Sequence, residues 1–251
     1  MADTSQVLEF AQVVKRRWDG TRELLVLDGV SFEIGRGTFV GLYGARRSGK
    51  STVLRLAAGL DLADEGRVAV AGCDLASASA VERARLLRGV VALVAPDSWR
   101  ARPQESLVDH LVLSLGCDGI TATQARRRAY SALDEVGLAG VGLEPTASLP
   151  MVERLNLMLA RALLHTPELL LIDEPSVIPS VSGRERFGKL LRELARARNL
   201  AVIVASEELA AVQGSSVLMS LGAGQLTSTD ERGVVVHFPG RQRAAGERVG
   251  A

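Results

Sequence analysis

The segment Gly44–Thr52 constrains the fold of this chain more than any other stretch. It reads Gly-Ala-Arg-Arg-Ser-Gly-Lys-Ser-Thr and fits the pattern G-x-x-x-x-G-K-[ST]. A β-rich segment, Thr38–Tyr43, precedes it, and a helix-forming segment, Val53–Ala58, follows it. Backbone N–H groups that a helix cannot use in its first turn, together with the helix dipole, favour an anion at such a junction. The sequence therefore predicts a phosphate-binding loop between a strand and a helix.

This loop supplies two kinds of group that a nucleotide phosphate needs. Lys50 is predicted to neutralise the β- and γ-phosphates, and Ser51 is predicted to offer its hydroxyl to Mg²⁺. Trp18 precedes a turn and could stack on an adenine ring or be an ordinary half-buried tryptophan; the residues alone leave both open. The predicted nucleotide-binding residues are Trp18, Gly44, Arg46, Arg47, Ser48, Gly49, Lys50, Ser51 and Thr52.

The composition fits a packed globular chain without a general affinity for polyanions. Hydrophobic residues make up 47% of the 251 residues and charged residues 24%, so a sizeable core is expected. The net charge of +1 gives no reason to expect nucleic acid as a partner. No stretch reaches the roughly 18 apolar residues that a membrane-spanning helix needs, and the N-terminus is polar. We therefore expect a soluble protein that contacts a membrane only through a partner.

Strand-like and helical patterns alternate along the chain, which predicts an α/β fold with a mostly parallel sheet. From Glu105 to Leu164 the pattern is helical, which suggests an inserted helical subdomain. Further helices are expected over Arg184–Arg198 and Glu207–Val212, and the polar tail after Pro239 is expected to be loose. The segments with a strand pattern are Leu8–Val14, Val30–Ile34, Thr38–Tyr43, Arg67–Ala71, Val90–Ala95, Glu168–Ile172, Ala201–Ala205, Ser216–Leu221 and Val234–Phe238.

Two acidic residues follow the apolar strand pattern Leu169–Ile172 and supply the second half of the predicted site. Asp173, at the end of a buried strand, is well placed to hold Mg²⁺ through water. Glu174 could orient or deprotonate an attacking water molecule. A carboxylate pair at a strand end is weak evidence by itself, but together with the upstream loop it indicates a nucleoside triphosphate site in which Glu174 and Lys50 are the candidate catalytic residues.

With both halves in place, the sequence resembles the ATP-binding subunits of ABC transporters from about Val7 to Thr229. The resemblance implies an α/β P-loop NTPase core with a mostly parallel sheet, an inserted helical subdomain at about 97–166 and a small antiparallel β-subdomain. The domain would cover residues 5–230, with a flexible tail at 239–251. The resemblance also implies ATP and Mg²⁺ as cofactors, Trp18 as the aromatic residue that stacks on adenine, and a head-to-tail dimer with two ATP molecules between protomers. The segments that carry it are Leu27–Phe32, Gly44–Thr52, Ala58–Leu60, Leu159–Leu164 and Pro167–Pro175.

The chain departs from this family at several functional positions. Asp97 stands where the family usually has Gln, and its carboxylate would still bind Mg²⁺. The family's signature Leu-Ser-Gly-Gly-Gln is Leu-Pro-Met-Val-Glu at Leu149–Glu153. Glu207 replaces the switch histidine, and Ile-Pro-Ser at Ile178–Ser180 replaces the usual Leu-Asp. Within the loop, the residues at 46 and 47 are Arg-Arg, where Asn and Gly are common.

These departures weaken the groups that would contact the γ-phosphate. Pro150 has no N–H to donate, and Met151 and Val152 carry side chains where close backbone approach is needed. Glu207 places a carboxylate near phosphate, and two like charges ~4 Å apart at a dielectric of about 20 repel by roughly 4 kcal/mol. Arg46 and Arg47 could offset this by pairing with Glu207 or with phosphate.

The sequence thus predicts a subunit that binds Mg-ATP and hydrolyses it weakly on its own. The expected partners are transmembrane permease subunits, which would couple near residues 97–102, and a second ATP-binding subunit. That second subunit is either another copy of this chain or a non-identical one with an intact signature. The expected location is the cytoplasmic face of the cell membrane. The alternative is a nucleotide-sensing or scaffold subunit that does not hydrolyse ATP. A GTPase or small-molecule kinase fits less well, because no Asn-Lys-x-Asp motif is present.

Overall fold

The computed structural model describes residues 6–95, 99, 101–116, 119–175, 178, 180–230 and 235–236. The predictions made for Asp97 and for the tail at 239–251 therefore lie outside the described residues, as do most residues of the expected edge strand at 234–238. Within the described part of the chain, no helix is both long enough and apolar enough to cross a membrane.

Strands and helices alternate, as the sequence patterns predict. The strands are β1 (Gln6–Asp19), β2 (Arg22–Gly35), β3 (Phe39–Tyr43), β4 (Glu65–Val70), β5 (Cys73–Asp74), β6 (Val91–Val94), β7 (Leu169–Asp173), β8 (Ala201–Ser206), β9 (Val217–Gly222), β10 (Gln225–Asp230) and β11 (Val235–Val236). The helices are α1 (Lys50–Ala57), α2 (Ala80–Gly89), α3 (Leu107–Leu115), α4 (Ala122–Glu135), α5 (Met151–Leu163) and α6 (Val181–Ala197).

A seven-stranded sheet forms the centre of the molecule, in the order β11-β10-β9-β3-β8-β7-β6. The pairs from β9 through β6 are parallel, whereas β10 and β11 extend the sheet in antiparallel fashion. Because β3, β8 and β7 are parallel neighbours, their carboxyl ends meet at one edge of the sheet, where α/β proteins bind ligands. The phosphate-binding loop, Glu207 and Asp173 follow or end these three strands, so the topology brings them together.

The central strands are buried on both faces and separate two hydrophobic clusters. Along β7, Leu170 and Ile172 pack into the cluster that contains α3, α4, α5 and α6. Leu169 and Leu171 pack into the opposite cluster with β1, β2 and α1. This alternation follows from the two-residue period of a strand, and each buried leucine contributes about 1.5–3 kcal/mol to stability. The continuous apolar pattern of β7 and β8 is thus explained by burial on both sides.

The second sheet is antiparallel and has the order β2-β1-β4-β5. The hairpin strands β1 and β2 are each 14 residues long, longer than the strands expected from Leu8–Val14 and Val30–Ile34. Register shifts interrupt the pairing around Gln12, whose φ is 51°. Gly66 lies against this irregularity: a Cβ there would stand 2.2 Å from the Gln12 carbonyl oxygen, so only glycine fits. The irregular pairing, which β strands use to bend, could not be inferred from the alternation pattern.

Three helices, α3 to α5, lie in the chain between β6 and β7, within the segment whose pattern is helical. The hydroxyl of Thr121 accepts from the backbone N–H of Gln124, and the Gln124 side chain accepts from the Thr121 N–H, so α4 begins with a capping box. The helix expected over Glu207–Val212 was wrong: only Leu209–Ala211 forms a single 3-10 turn. Strand β10, which pairs with β9 through the turn at 223–224, was not expected from the sequence.

Candidate functional site

The phosphate-binding loop joins the end of β3 to the start of α1. The backbone N–H of Gly44 donates to the Ser206 carbonyl at 3.3 Å, which ties the start of the loop to the end of β8. Gly49 is the N-cap of α1 and has a φ of 106°. The helix begins at Lys50, three residues before the helix-forming segment Val53–Ala58 that the sequence indicates. The first helical N–H groups of α1 therefore open into the loop, as the sequence motif requires.

Close packing explains the two glycines of the loop. A Cβ at Gly44 would stand 2.5 Å from the Leu221 carbonyl oxygen and 2.6 Å from the Ser48 hydroxyl oxygen. A Cβ at Gly49 would stand 3.1 Å from the Val26 carbonyl oxygen, in a left-handed conformation that side chains avoid. Both positions thus need glycine for the loop to keep this shape.

The residues of the loop have the groups that a phosphate chain needs. Lys50 is only 5% exposed, and its Nζ donates to the carbonyl oxygens of Gly44 at 2.7 Å and Ala45 at 3.0 Å. The Ser48 hydroxyl is buried and has no hydrogen-bond partner among the described residues. A buried hydroxyl without a hydrogen-bond partner lowers stability unless a ligand forms that hydrogen bond. The loop residues therefore fit a bound phosphate group.

Ser51 and Asp173, the two predicted Mg²⁺ ligands that the structure describes, line the same cleft. Ser51 lies in the first turn of α1 and Asp173 ends β7, with β8 between their strands in the sheet. Hydroxyl and carboxylate oxygens are ligands that Mg²⁺ prefers. Thr52, the last residue of the motif, is buried beneath the loop.

Trp18 and the two loop arginines are exposed. Trp18 is 71% exposed near the end of β1, opposite Glu23 of β2, so the reading of this residue as half-buried is wrong. Arg46 and Arg47 are also exposed, and neither has an ion pair within the described part of the chain. Arg47 adopts a φ of 64°, at the position where the family commonly has glycine. The predicted contacts of these side chains with nucleotide remain predictions.

Glu174 is tied to the end of β8 by both its backbone and its carboxylate. Its N–H donates to the Ala205 carbonyl at 2.9 Å, and its φ is 52°. Its Oε1 accepts from the Ser206 hydroxyl at 3.1 Å and from the Glu207 N–H at 3.2 Å. The structure thus connects the predicted catalytic carboxylate to the segment that carries the replaced switch residue.

Helix α5 begins at the altered signature. Pro150 is its N-cap, and no side chain caps the helix. Met151 is 46% exposed, and Glu153 lies in the first turn, where a carboxylate suits the helix dipole. The start of α5 therefore presents an apolar side chain and an anion in place of a hydroxyl and bare amides.

Sequence reasoning missed two residues around Glu174. Ser206, the last residue of β8, is fully buried and bonds Glu174. Arg184 of α6 is 12% exposed, donates to the Ile178 carbonyl at 2.7 Å and pairs with Glu208 at 3.4 Å. No motif marks either residue, because both act through contacts that only the parallel register of β7 and β8 and the packing of α6 create.

The cleft that Ser51 and Asp173 line has a volume of about 1040 Å³ and extends between β6, the end of α1 and the helices α3 and α5. Three arginines with no ion pair in the described part of the molecule line it, from α1, α2 and α5. Among its lining residues, Leu87, Leu93 and Met158 supply apolar surface. The arginines of the lining are Arg55, Arg88 and Arg161.

Fold and site together define a P-loop nucleotide-binding domain with a helical insertion and an antiparallel sheet. The family model described as ABC transporter matches residues 27–177, which is more than half of the chain. The chain therefore belongs to the ABC transporter family, as an ABC-type ATPase domain. The resemblance that the sequence motifs indicate is thereby confirmed.

Named relatives are ATP-binding proteins of several systems. Methionine import ATP-binding protein MetN of Rhizobium etli is 31% identical over 201 residues, which cover 80% of this chain and 54% of MetN. The chain thus spans about half the length of that relative. Lipoprotein-releasing system ATP-binding protein LolD of Jannaschia sp. is 34% identical over 75% of this chain and 84% of LolD. Aliphatic sulfonates import ATP-binding protein SsuB of Pseudomonas putida is 36% identical over 77% of this chain and 65% of SsuB.

Solved structures share the fold. The dimeric structure of the ABC transporter cassette MJ0796 superposes with a TM-score of 0.80 at 22% identity, over 90% of this chain and all of that one. The cbiO1 structure from Clostridium perfringens gives a TM-score of 0.78 at 20% identity, over 88% and 87% of the two chains. The predicted fold class, an α/β P-loop core with a mostly parallel sheet, is confirmed by these likenesses.

Proposed function

We propose that this chain is the ATP-binding subunit of an ABC transporter, that it binds Mg-ATP, and that it hydrolyses ATP slowly when alone. One observation carries the proposal: the phosphate loop is complete, whereas the N-cap and first turn of α5 read Pro-Met-Val-Glu. The buried Lys50 supports nucleotide binding, and so does the Ser48 hydroxyl, which has no partner among the residues that the structure describes. The start of α5 and the carboxylate of Glu207 favour slow turnover.

In this proposal the loop and the end of β7 have different roles in binding and hydrolysis. Lys50 and the first N–H groups of α1 hold the phosphates, and Ser51 and Asp173, with Asp97 as a further candidate, hold Mg²⁺. Mg²⁺ supplies positive charge that stabilises the developing negative charge on the phosphates. Glu174 accepts a proton from the attacking water molecule. Trp18, Arg46 and Arg47 complete the nucleotide site from its exposed side.

A matched set of variants tests this function. Calorimetry with Mg-ATP should show binding by the native chain and a loss of about a hundredfold in affinity for Lys50→Ala, since a buried charge-assisted contact is worth about 3 kcal/mol. Steady-state hydrolysis by the native chain should be slow, and Glu174→Gln should abolish what remains without weakening binding. Rapid turnover by the native chain alone would contradict the proposal of weak hydrolysis.

The second candidate is a subunit that senses ATP without hydrolysing it. The carboxylate of Glu207 at the end of β8 favours it, because an anion stands where the family places a histidine. A single-turnover assay with protein in excess over labelled ATP separates the two functions. Conversion to ADP that Glu174→Gln abolishes supports the transporter ATPase, whereas binding without any conversion supports the sensor.

We further propose that the membrane partner docks in the cleft between β6 and α5, which would hold the subunit on the cytoplasmic face of the membrane. Its apolar lining favours a partner segment with one apolar face. Arg88 and Arg161, which form no ion pair with the described residues, favour exposed carboxylates on that segment. The double charge reversal Arg88→Glu and Arg161→Glu should abolish co-purification of membrane proteins with the chain. Arg186→Glu, on the exposed face of α6, is the matched control and should retain them.

A further inference from the structure

The carboxylate of Glu174 is held by the last residues of β8. Its Oε1 accepts two hydrogen bonds, one from the Ser206 hydroxyl at 3.1 Å and one from the Glu207 N–H at 3.2 Å. The second bond comes from the backbone and is independent of the side chain at 207. The Ser206 hydroxyl is therefore the side-chain group of β8 that reaches this carboxylate.

The direction of the Ser206 hydrogen bond is fixed by a third residue. The N–H of Glu208 donates to the Ser206 oxygen at 3.0 Å. A serine hydroxyl has a single hydrogen, and a carboxylate only accepts, so that hydrogen points to Glu174. Ser206 is fully buried, so water does not compete for the bond.

The backbone of Glu174 is constrained at the same place. Its N–H donates to the Ala205 carbonyl at 2.9 Å, and Asp173 pairs with Ala205 in the parallel register of β7 and β8. The φ of 52° is a conformation that a non-glycine residue adopts at a cost, so the surroundings must impose it. Hydrogen bonds to the end of β8 thus hold both the backbone and the carboxylate of Glu174.

We propose that Ser206 is a positioning residue for Glu174 in ATP hydrolysis, an inference that rests on the function proposed above. In that reaction the oxygen of water bonds to the γ-phosphorus, the bond from that phosphorus to the β–γ bridging oxygen breaks, and ADP leaves with the electron pair. Glu174 takes a proton of the water. Ser206 fixes one oxygen of the carboxylate and so sets the direction in which the carboxylate accepts this proton.

Ser216 provides a matched control. Its hydroxyl donates to the Phe39 carbonyl at 2.9 Å and accepts from the Phe39 N–H at 3.1 Å. It therefore also makes two hydrogen bonds at a strand end, but at the amino end of β3, whereas the site lies at the carboxyl end. Ser216→Ala tests whether the loss of such a serine affects turnover through stability alone.

The experiment compares native chain, Ser206→Ala, Ser206→Thr, Ser216→Ala and Glu174→Gln. We expect Ser206→Ala to slow single-turnover hydrolysis by about tenfold while the Kd for Mg-ATP stays within twofold. Ser206→Thr, which keeps the hydroxyl, should restore the rate to within about twofold, and Ser216→Ala should leave it unchanged. An unchanged rate in Ser206→Ala, or an equal loss in Ser206→Thr and Ser216→Ala, overturns the inference.

A spectroscopic measurement tests the contact without turnover. The carboxyl carbon of Glu174, ¹³C-labelled and assigned by its absence in Glu174→Gln, should change its NMR chemical shift in Ser206→Ala and keep it in Ser216→Ala. If the resonance is unchanged in Ser206→Ala, the inference about Ser206 is wrong. The proposed function still stands in that case, provided that the native chain binds Mg-ATP. A native chain that binds no Mg-ATP in calorimetry overturns the proposed function and this inference with it.

Discussion

At the scale of single residues, Arg47 is the clearest case of a side chain kept at a conformational cost. Its φ of 64° lies in the left-handed region, which costs a non-glycine residue about 1–2 kcal/mol. Glycine would adopt this conformation readily. An exposed arginine at this position therefore favours a use for its guanidinium, and the proposed function supplies an anion for it in the phosphate chain of the nucleotide.

Replacement of Arg47 by glycine should separate this use from stability. Glycine relieves the strain but adds about 0.5–1 kcal/mol of entropy to the unfolded chain, so the melting temperature should change little. The affinity for Mg-ATP should fall about tenfold, because a charge-assisted hydrogen bond is worth about 1.5–3 kcal/mol. Arg47→Lys keeps both the charge and the backbone cost, and calorimetry should show nearly native affinity. Equal affinities for the glycine variant and the native chain would contradict a phosphate contact.

At the scale of elements, the proposed function expects the start of α5 to contact a partner's nucleotide. A quadruple variant restores the family's usual signature sequence. Its substitutions are Pro150→Ser, Met151→Gly, Val152→Gly and Glu153→Gln. We expect it to raise steady-state hydrolysis by the chain alone about tenfold or more, since a single donor to a developing charge contributes at least that much. The rate per molecule should rise with protein concentration, because the restored segment acts on a second copy. A rate that stays at the native level would contradict a role of the altered signature in slow turnover and would leave the other departures, Glu207 among them, as its cause.

Arg184 links α6 to both the loop after Glu174 and the segment after β8. Arg184→Met should cost about 1–3 kcal/mol in unfolding free energy, because the Ile178 carbonyl loses its donor in a buried setting. Glu208→Gln should cost less than about 1 kcal/mol, since the Glu208 side chain is 48% exposed. Urea denaturation of both variants measures the difference. If the two variants lose equal unfolding free energy, the ion pair with Glu208, and not the hydrogen bond to the Ile178 carbonyl, accounts for the contribution of Arg184 to stability.

Comparison of elements shows what sequence patterns can predict. β3, β7 and β8 are apolar runs buried on both faces, so they were predictable. The positions of Lys50, Ser51 and Asp173 near the carboxyl ends of β3 and β7 were predictable for the same reason. The hairpin of β1 and β2 was predicted too short, because its length depends on an irregularity at Gln12 that partner strands accommodate. Ser206 carries no signal in the sequence, because its role arises from the register that sets β8 beside β7.

At the scale of the whole molecule, the proposed function makes this chain one half of a composite site. The complete phosphate loop is at the carboxyl edge of the central sheet, and the altered segment begins a helix of the insertion between β6 and β7. If ATP is hydrolysed between the loop of one protomer and the start of α5 in another, a second subunit with an intact segment would complete the site at this chain's loop. The two copies in a homodimer would each lack that contribution.

Mixtures of two variants of this chain test the composite site without any natural partner. The first chain is the native one, and the second is the quadruple α5 variant that also carries Lys50→Ala, so it offers an intact segment but cannot bind ATP well. Each alone should hydrolyse ATP slowly, whereas a one-to-one mixture should exceed the sum of the separate rates about tenfold. The control mixture pairs the same second chain with native chain carrying Glu174→Gln, and it should stay slow because the loop that receives ATP then lacks its base. A mixture no faster than its separate components would contradict a composite site built from this chain's loop and a partner's α5.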